Sequence, residues 1–194
     1  MKLSLITCIT LVPLLAGCLS VLPEPEAPDA LYRVQAVQKV DGLPNHLIIR
    51  EPEAPRLLAG QGMVSEGPNG GLRLVPNVEW SGSATRQIQL AMIDSFEVGD
   101  QGNAILPELG VSAGYELGSQ LKTLNLKGDT AHCVMTLSLV TTGDRQLVAL
   151  TEVSSSSTAA SGSNRDRAIA LRDVASACAG QAAQFAVRYM PTEH

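Results

Sequence analysis

Apolar residues recur along this chain with two different spacings, and the places where the spacing changes mark out its elements. Tyr32, Val34, Ala36 and Val40 alternate with Arg33, Gln35 and Lys39, the two-residue period of a half-buried strand. Leu47 to Arg50 is a second short apolar strand. Met63–Glu66 and Leu72–Val75 flank Gly67-Pro68-Asn69-Gly70-Gly71, a turn-forming run, and so predict a hairpin. From Ser83 to Phe96 the spacing becomes helical. Ala84, Ile88, Ala91, Met92 and Ser95 fall on one face, with Ser81 or Ser83 available to accept a free backbone N–H at the helix start.

The second half repeats this order. After a loop over 99–110 bearing Gly and Pro, Tyr115, Leu117, Leu121 and Thr123 alternate with Glu116, Gln120 and Lys122. Lys127-Gly128-Asp129 turns the chain into a strand over 132–141, where Cys133, Met135, Leu137 and Leu139 share a face. Thr142-Gly143-Asp144 turns it again into a strand over 146–155, completing an antiparallel meander. The small, polar run 154–163 reads as a fraying strand end or loop. Residues 164–189 form a long helix. Its Leu171, Val174, Ala175, Cys178, Ala182, Phe185 and Tyr189 lie on one stripe, with Arg165, Arg167, Arg172 and Asp173 largely elsewhere. Strands, helix, three-strand meander and helix together predict an α+β fold, a two-layer sandwich of a largely antiparallel sheet with two main helices packed on one face. Val134, Val148 and Leu150 would then look out from the other face. That face or its edges would make contacts between copies, in a homo-oligomer, or with a partner.

The first residues stand outside this pattern. Met1 and Lys2 give a short positive start, and Leu3 to Leu15 form an apolar run well below the roughly 20 residues of a permanent membrane helix. The run ends in Leu15-Ala16-Gly17-Cys18, the pattern of a lipoprotein signal. Small residues suit a peptidase cleft, and the thiol that follows is a nucleophile to which diacylglycerol can be attached. The expected division is a signal peptide at 1–17, a lipidated N-terminus and Pro-rich tether at 18–30, and a single α+β domain at 31–194. Three prolines and three acidic residues between 19 and 30 favour a stiff, extended tether.

Removal of residues 1–17 takes Lys2 from the 14 basic residues and leaves all 19 acidic ones, so the formal charge moves from −5 to −6. An acidic chain is a poor partner for nucleic acid and carries no polybasic membrane patch. Lipid needs none, because each buried acyl CH₂ contributes about 0.8 kcal/mol.

Catalytic chemistry finds little support. His46, His132 and His194 have no partner at metal-ligand spacing, and His132 and Cys133, neighbours on a strand, point to opposite faces. Gly60, Gly62, Gly67, Gly70 and Gly71 lack the Lys-Ser/Thr of a phosphate loop. No catalytic residue, metal or cofactor is expected, and the chain is read as not an enzyme. Trp80, just before the first helix, reads as a core staple. Cys133 and Cys178 both take core faces, in a compartment that permits a disulfide. A disulfide needs Cα atoms about 4.4–6.8 Å apart, whereas packed layers sit about 10 Å apart. That spacing favours two buried thiols over the bridge without deciding between them.

Several stretches together resemble the ABC-type transport auxiliary lipoproteins, partners of mammalian-cell-entry (MCE) type, paraquat-inducible-like lipid transport systems in Gram-negative envelopes. They are Leu15–Cys18 with its Pro-rich spacer, Leu31-Tyr32-Arg33-Val34, Leu47-Ile48-Ile49 ahead of Pro52, and Val78-Glu79-Trp80. Gln87-Ile88-Gln89-Leu90-Ala91, Ala113-Gly114-Tyr115-Glu116-Leu117 and the Ala-rich last helix complete the set. The resemblance implies a non-enzymatic docking or receiving subunit, held by lipid on the periplasmic side of the outer membrane. Its implied partners are an MCE-type transport protein and the inner-membrane ABC complex. Leu19, in place of Asp after the lipidated cysteine, implies outer-membrane sorting by the enteric rule. The alternative is a stand-alone envelope lipoprotein that binds a small apolar ligand or a periplasmic protein.

Overall fold

Three long strands carry the fold, and everything else is arranged on their edges and on one of their faces. The computed structural model describes residues 27–40 and 42–191, so Leu15, Ala16, Gly17, Cys18, Leu19 and His194 lie outside the described residues. The chain runs β1 (Ala30–Tyr32), β2 (Leu47–Ile49), α1 (Arg56–Ala59), β3 (Gly62–Glu66), β4 (Leu72–Trp80) and α2 (Ala84–Asp94). It continues with β5 (Ala104–Ile105), a 3₁₀ turn at Pro107–Leu109, β6 (Tyr115–Lys127), β7 (Thr130–Thr141), β8 (Leu147–Thr158) and α3 (Asn164–Tyr189).

β6, β7 and β8 form the predicted antiparallel meander. Gly128, in the tight β6–β7 turn, takes φ 62°, a conformation open to glycine and strained for most other residues. The free edge of β6 is divided: β2 pairs parallel with Tyr115–Leu117, β3 pairs parallel with Leu126–Lys127, and Glu53 bridges Gln120 between them. β4 joins β3 as the predicted hairpin, β1 adds parallel to β4, and β5 adds parallel to β2. The mixed eight-stranded sheet and its helices make an α+β fold.

Three segments depart from their expected extent. The second hairpin strand, expected over Leu72–Val75, runs on to Trp80. The polar residues Ser154–Thr158 continue β8, pairing with Val134–Thr130, because ladder hydrogen bonds need backbone groups and not apolar side chains. The first strand, expected to run on toward Val40, leaves the sheet after Tyr32. It then lies across the helices as an extended strap: Val34 N–H donates to Gln87 Oε1 at 2.9 Å, Gln35 N–H to Ser176 Oγ at 3.1 Å, and Lys39 Nζ to the Asp94 carbonyl at 2.6 Å. A period of two specifies an extended chain but not what it bonds to.

The helices begin where local chemistry lets them. Ser83 Oγ accepts Arg86 N–H at 3.2 Å, selecting Ser83 over Ser81 as the cap of α2. Ser163 Oγ accepts Asp166 N–H at 3.1 Å at the start of α3, where the Asp166 carboxylate also suits the helix dipole. α3 lies on β7 and β8, and α2 packs on α3 and reaches the sheet at β2. The face of α3 against the sheet is built from small side chains, with Ala168, Ala175, Ala179 and Ala182 fully buried. Opposite stand Leu117, Leu121, Met135, Leu137 and Leu139, also fully buried. Val148, expected on the outer face, falls beside the register shift after Leu139 and packs against the core instead.

Trp80, 1 % exposed, closes the core at the end of β4, as its position before α2 predicts. Trp80→Ala should lower the unfolding free energy by about 3–5 kcal/mol through lost burial and a residual cavity. Urea denaturation measures this, and a loss below about 1 kcal/mol would contradict the assignment.

Candidate functional site

The face of the sheet away from α3 holds a cleft of about 620 Å³. Strand alternation builds its floor. Glu116, Gly118 and Gln120 on β6, with Thr136, Ser138 and Val140 on β7, point away from the core that Leu117, Leu121, Leu137 and Leu139 fill. The walls come from elsewhere in the chain. Beyond β2 the backbone keeps running beside β6, with Arg50 N–H donating to the Leu117 carbonyl at 3.0 Å and Glu53 N–H to the Ser119 carbonyl at 2.9 Å. That path lifts Arg50 and Glu53 to one side. Arg145, in the β7–β8 turn, and Leu150 of β8 stand on the other.

Glu116 is the electrostatic centre. Its side chain is 7 % exposed, and its Oε1 lies 2.9 Å from Arg50 Nε and 2.9 Å from Arg145 Nη1. Burial pushes the carboxyl up, but hydrogen bonds and charge from both guanidinium groups outweigh it and hold Glu116 below its ordinary value. The same hydrogen bond, followed by the charge, raises Arg50. Arg145 reaches Glu116 from a left-handed backbone conformation, φ 59°, an uncommon one for a residue with a Cβ. Its turn is closed by Gln146 N–H donating to Thr141 Oγ1 at 2.9 Å. Two guanidinium groups on one carboxylate leave one positive charge over, and neither arginine makes another ion pair among the described residues.

Two further details mark the floor. Thr136 Oγ1 is buried with no hydrogen-bond partner among the described residues, and so is Ser119 Oγ, which alternation places on the core side. Gly118 is bare in the middle of a 13-residue strand, where a Cβ would come 2.9 Å from Ser138 Oγ.

The residues singled out in the sequence are distributed differently. Leu15, Ala16, Gly17, Cys18 and Leu19 are outside the described residues. Cys133 on β7 and Cys178 on α3 are buried free thiols that meet across the helix–sheet layer, and their hydrogen bond, then burial, push the Cys133 thiol well above its ordinary value. His46 Nδ1 accepts Asn103 N–H at 3.1 Å and so helps hold the loop before β5. Among the described residues no group of three His, Cys, Asp or Glu side chains is placed to hold a metal. Sequence reasoning put Glu116 on the polar face but missed its arginines. They come from a strand end and a turn, and no spacing rule joins three such distant stretches.

The family model for the ABC-type transport auxiliary lipoprotein component matches residues 30–183. No curated protein matches the sequence. Among solved structures, protein XCC0632 from Xanthomonas campestris, of the family DUF330, superposes with a TM-score of 0.67 at 15% identity over 84% of this chain and 95% of its own. A second, uncharacterized protein gives a TM-score of 0.59 at 12% identity, over 82% of this chain and 99% of its own. These likenesses are of fold.

A carboxyl held below its ordinary value stabilises the folded state above the ordinary carboxylate range, and that contribution is lost as pH falls through the lower folded value. Glu116→Gln should therefore be less stable than the parent by a margin widest near neutral pH and shrinking toward pH about 3. Urea midpoints at both pH values test this, and a margin independent of pH would refute it.

Proposed function

The chain belongs to the ABC-type transport auxiliary lipoprotein family, and on that premise we propose that it is a lipid-anchored, non-enzymatic accessory of an ABC/MCE-type envelope lipid transport system. In this reading it serves as a docking or receiving subunit at the outer membrane, facing the periplasm. The family match across residues 30–183 carries the proposal. The disposition of the reactive groups supports the non-enzymatic part. His132 and Cys133 alternate across β7, and Cys133 and Cys178 are sealed in the core.

No helix among the described residues is long and apolar enough to cross a membrane. The proposed membrane contact is acyl chains on Cys18, cut free after Leu15-Ala16-Gly17. Between Cys18 and Asp29, whose N–H donates to the Asn77 carbonyl at the sheet edge, an extended proline-rich tether would reach roughly 35 Å. That reach lets the folded part meet a periplasmic partner without leaving the membrane. Leu19 directs sorting to the outer membrane in the same proposal. Partner or copy contacts fall to the sheet edges, where the 12-residue β8 pairs on one side with β7 and offers its other side.

Palmitate labelling in cells checks the anchor. Cys18→Ser should abolish the label and leave an uncleaved precursor, and persistent labelling would remove Cys18 from its role. Leu19→Asp should move the protein to the inner-membrane fraction of a density gradient, and unchanged fractionation would contradict the sorting role. For the partner, photocrosslinkers along β8 should capture an MCE-type protein. Repeated failure around the whole domain surface would instead favour a stand-alone lipoprotein.

A further inference from the structure

We propose that the cleft on the outer sheet face is a binding site for a zwitterionic group, a phosphate ester joined by a short linker to a primary ammonium, as in phosphoethanolamine. Arg50 and Arg145 take the phosphate, and Glu53 takes the ammonium.

The floor supplies the first reason. Glycine inside a strand weakens it and commonly marks a place where a ligand or another backbone comes close. Gly118 has no positive φ to require glycine, and the nearest atom to an added Cβ is the Ser138 hydroxyl, which can rotate away. The fold therefore tolerates a side chain there. What a side chain would remove is the space above it, in the middle of the cleft.

The arginines supply the second. Holding a carboxylate 7 % exposed on a solvated sheet face is costly unless it is paired. Here Glu116 is paired twice through one oxygen, which positions two guanidinium groups side by side with most of their N–H donors unspent. A planar guanidinium fork matches phosphate geometry, and two forks on a shared carboxylate lose little freedom when an anion arrives.

Glu53 decides the class of ligand. It lines the same cleft, is exposed, and makes no ion pair among the described residues. Counting Arg50, Arg145, Glu116 and Glu53, the cleft is neutral but polarised, positive near Glu116 and negative near Gln120, the residue that Glu53 bridges. Strand spacing sets Glu53 about 7 Å along β6 from the level of Arg50. A simple anion would leave Glu53 unmatched, whereas a phosphate and an ammonium on a two-carbon linker satisfy both ends. Leu150, 62 % exposed at the rim, offers an apolar step to whatever continues from the phosphate. The site stands on this geometry and not on the transport role.

Isothermal titration calorimetry on the mature, lipidated protein in detergent tests it, with phosphoethanolamine, inorganic phosphate and dihexanoyl phosphatidylethanolamine as probes. Phosphoethanolamine should bind about tenfold more tightly than phosphate. Glu53→Gln should erase that preference and leave phosphate binding intact, while Arg145→Gln weakens both about tenfold. Gly118→Val, which fills the floor without changing charge, should abolish binding with an unaltered circular dichroism spectrum and an unfolding midpoint no lower than the parent's. A phospholipid binding well above phosphoethanolamine supports the site with a lipid headgroup as its ligand, and equal binding supports it with a free phosphate ester. Equal affinity for phosphate and phosphoethanolamine, insensitive to Glu53→Gln, would overturn the zwitterion assignment. No binding of any probe would overturn the site.

Discussion

The backbone of β6 has to find partners on both sides along 13 residues, and the architecture follows from how it does so. β7 takes one side through a tight turn, broken by a single register shift at Lys122. No one segment from the first half of the chain is long enough for the other side. β2 takes one end, β3 the other, and Glu53 fills the middle with a single bridge. Buried amide and carbonyl groups left unpaired would each cost on the order of 1–3 kcal/mol. The division therefore ties two otherwise separate strands, and through β3 the whole β3–β4 hairpin, to one central element.

That tie also creates the cleft. Because the chain keeps company with β6 past Ile49, Arg50 and Glu53 stand on the outer face rather than in a loop. Because β7 returns through a turn with a left-handed arginine, Arg145 meets Arg50 over Glu116. Backbone pairing and side-chain charge thus depend on each other. Glu116 would be an expensive buried anion without both arginines, and the arginines would be loose surface groups without it.

How much of this was legible in the sequence depended on the range over which each feature is determined. The bounds of α3, the meander and its Gly128 turn follow from period, capping and turn residues, all readable within a few positions. A serine cap at Ser81 or Ser83 and Trp80 as core were readable for the same reason, and the Arg86 N–H bond decides for Ser83. The parallel entry of β1, β2 and β5 was not, since alternation carries no strand direction. Helix α1, four residues behind Pro55, is too short to show a period. Val148 was misplaced by a bulge, which shifts alternation without leaving a mark in composition. The Arg50–Glu116–Arg145 group is assembled purely by tertiary contact, so each residue looked like ordinary surface charge.

The strap over residues 33–39 has a mechanical consequence. A pull on the N-terminus arrives first at β1, three residues on the outermost edge of the sheet, and then at side-chain hydrogen bonds to Gln87 and Ser176 on the two helices. The force is spent peeling an edge and dragging on helix surfaces. It does not pass through β6, β7 or the turn that carries Arg145. Tension at that end can thus strip the strap while the meander and its cleft keep their shape, so load is absorbed at the periphery of the sheet and its centre is spared.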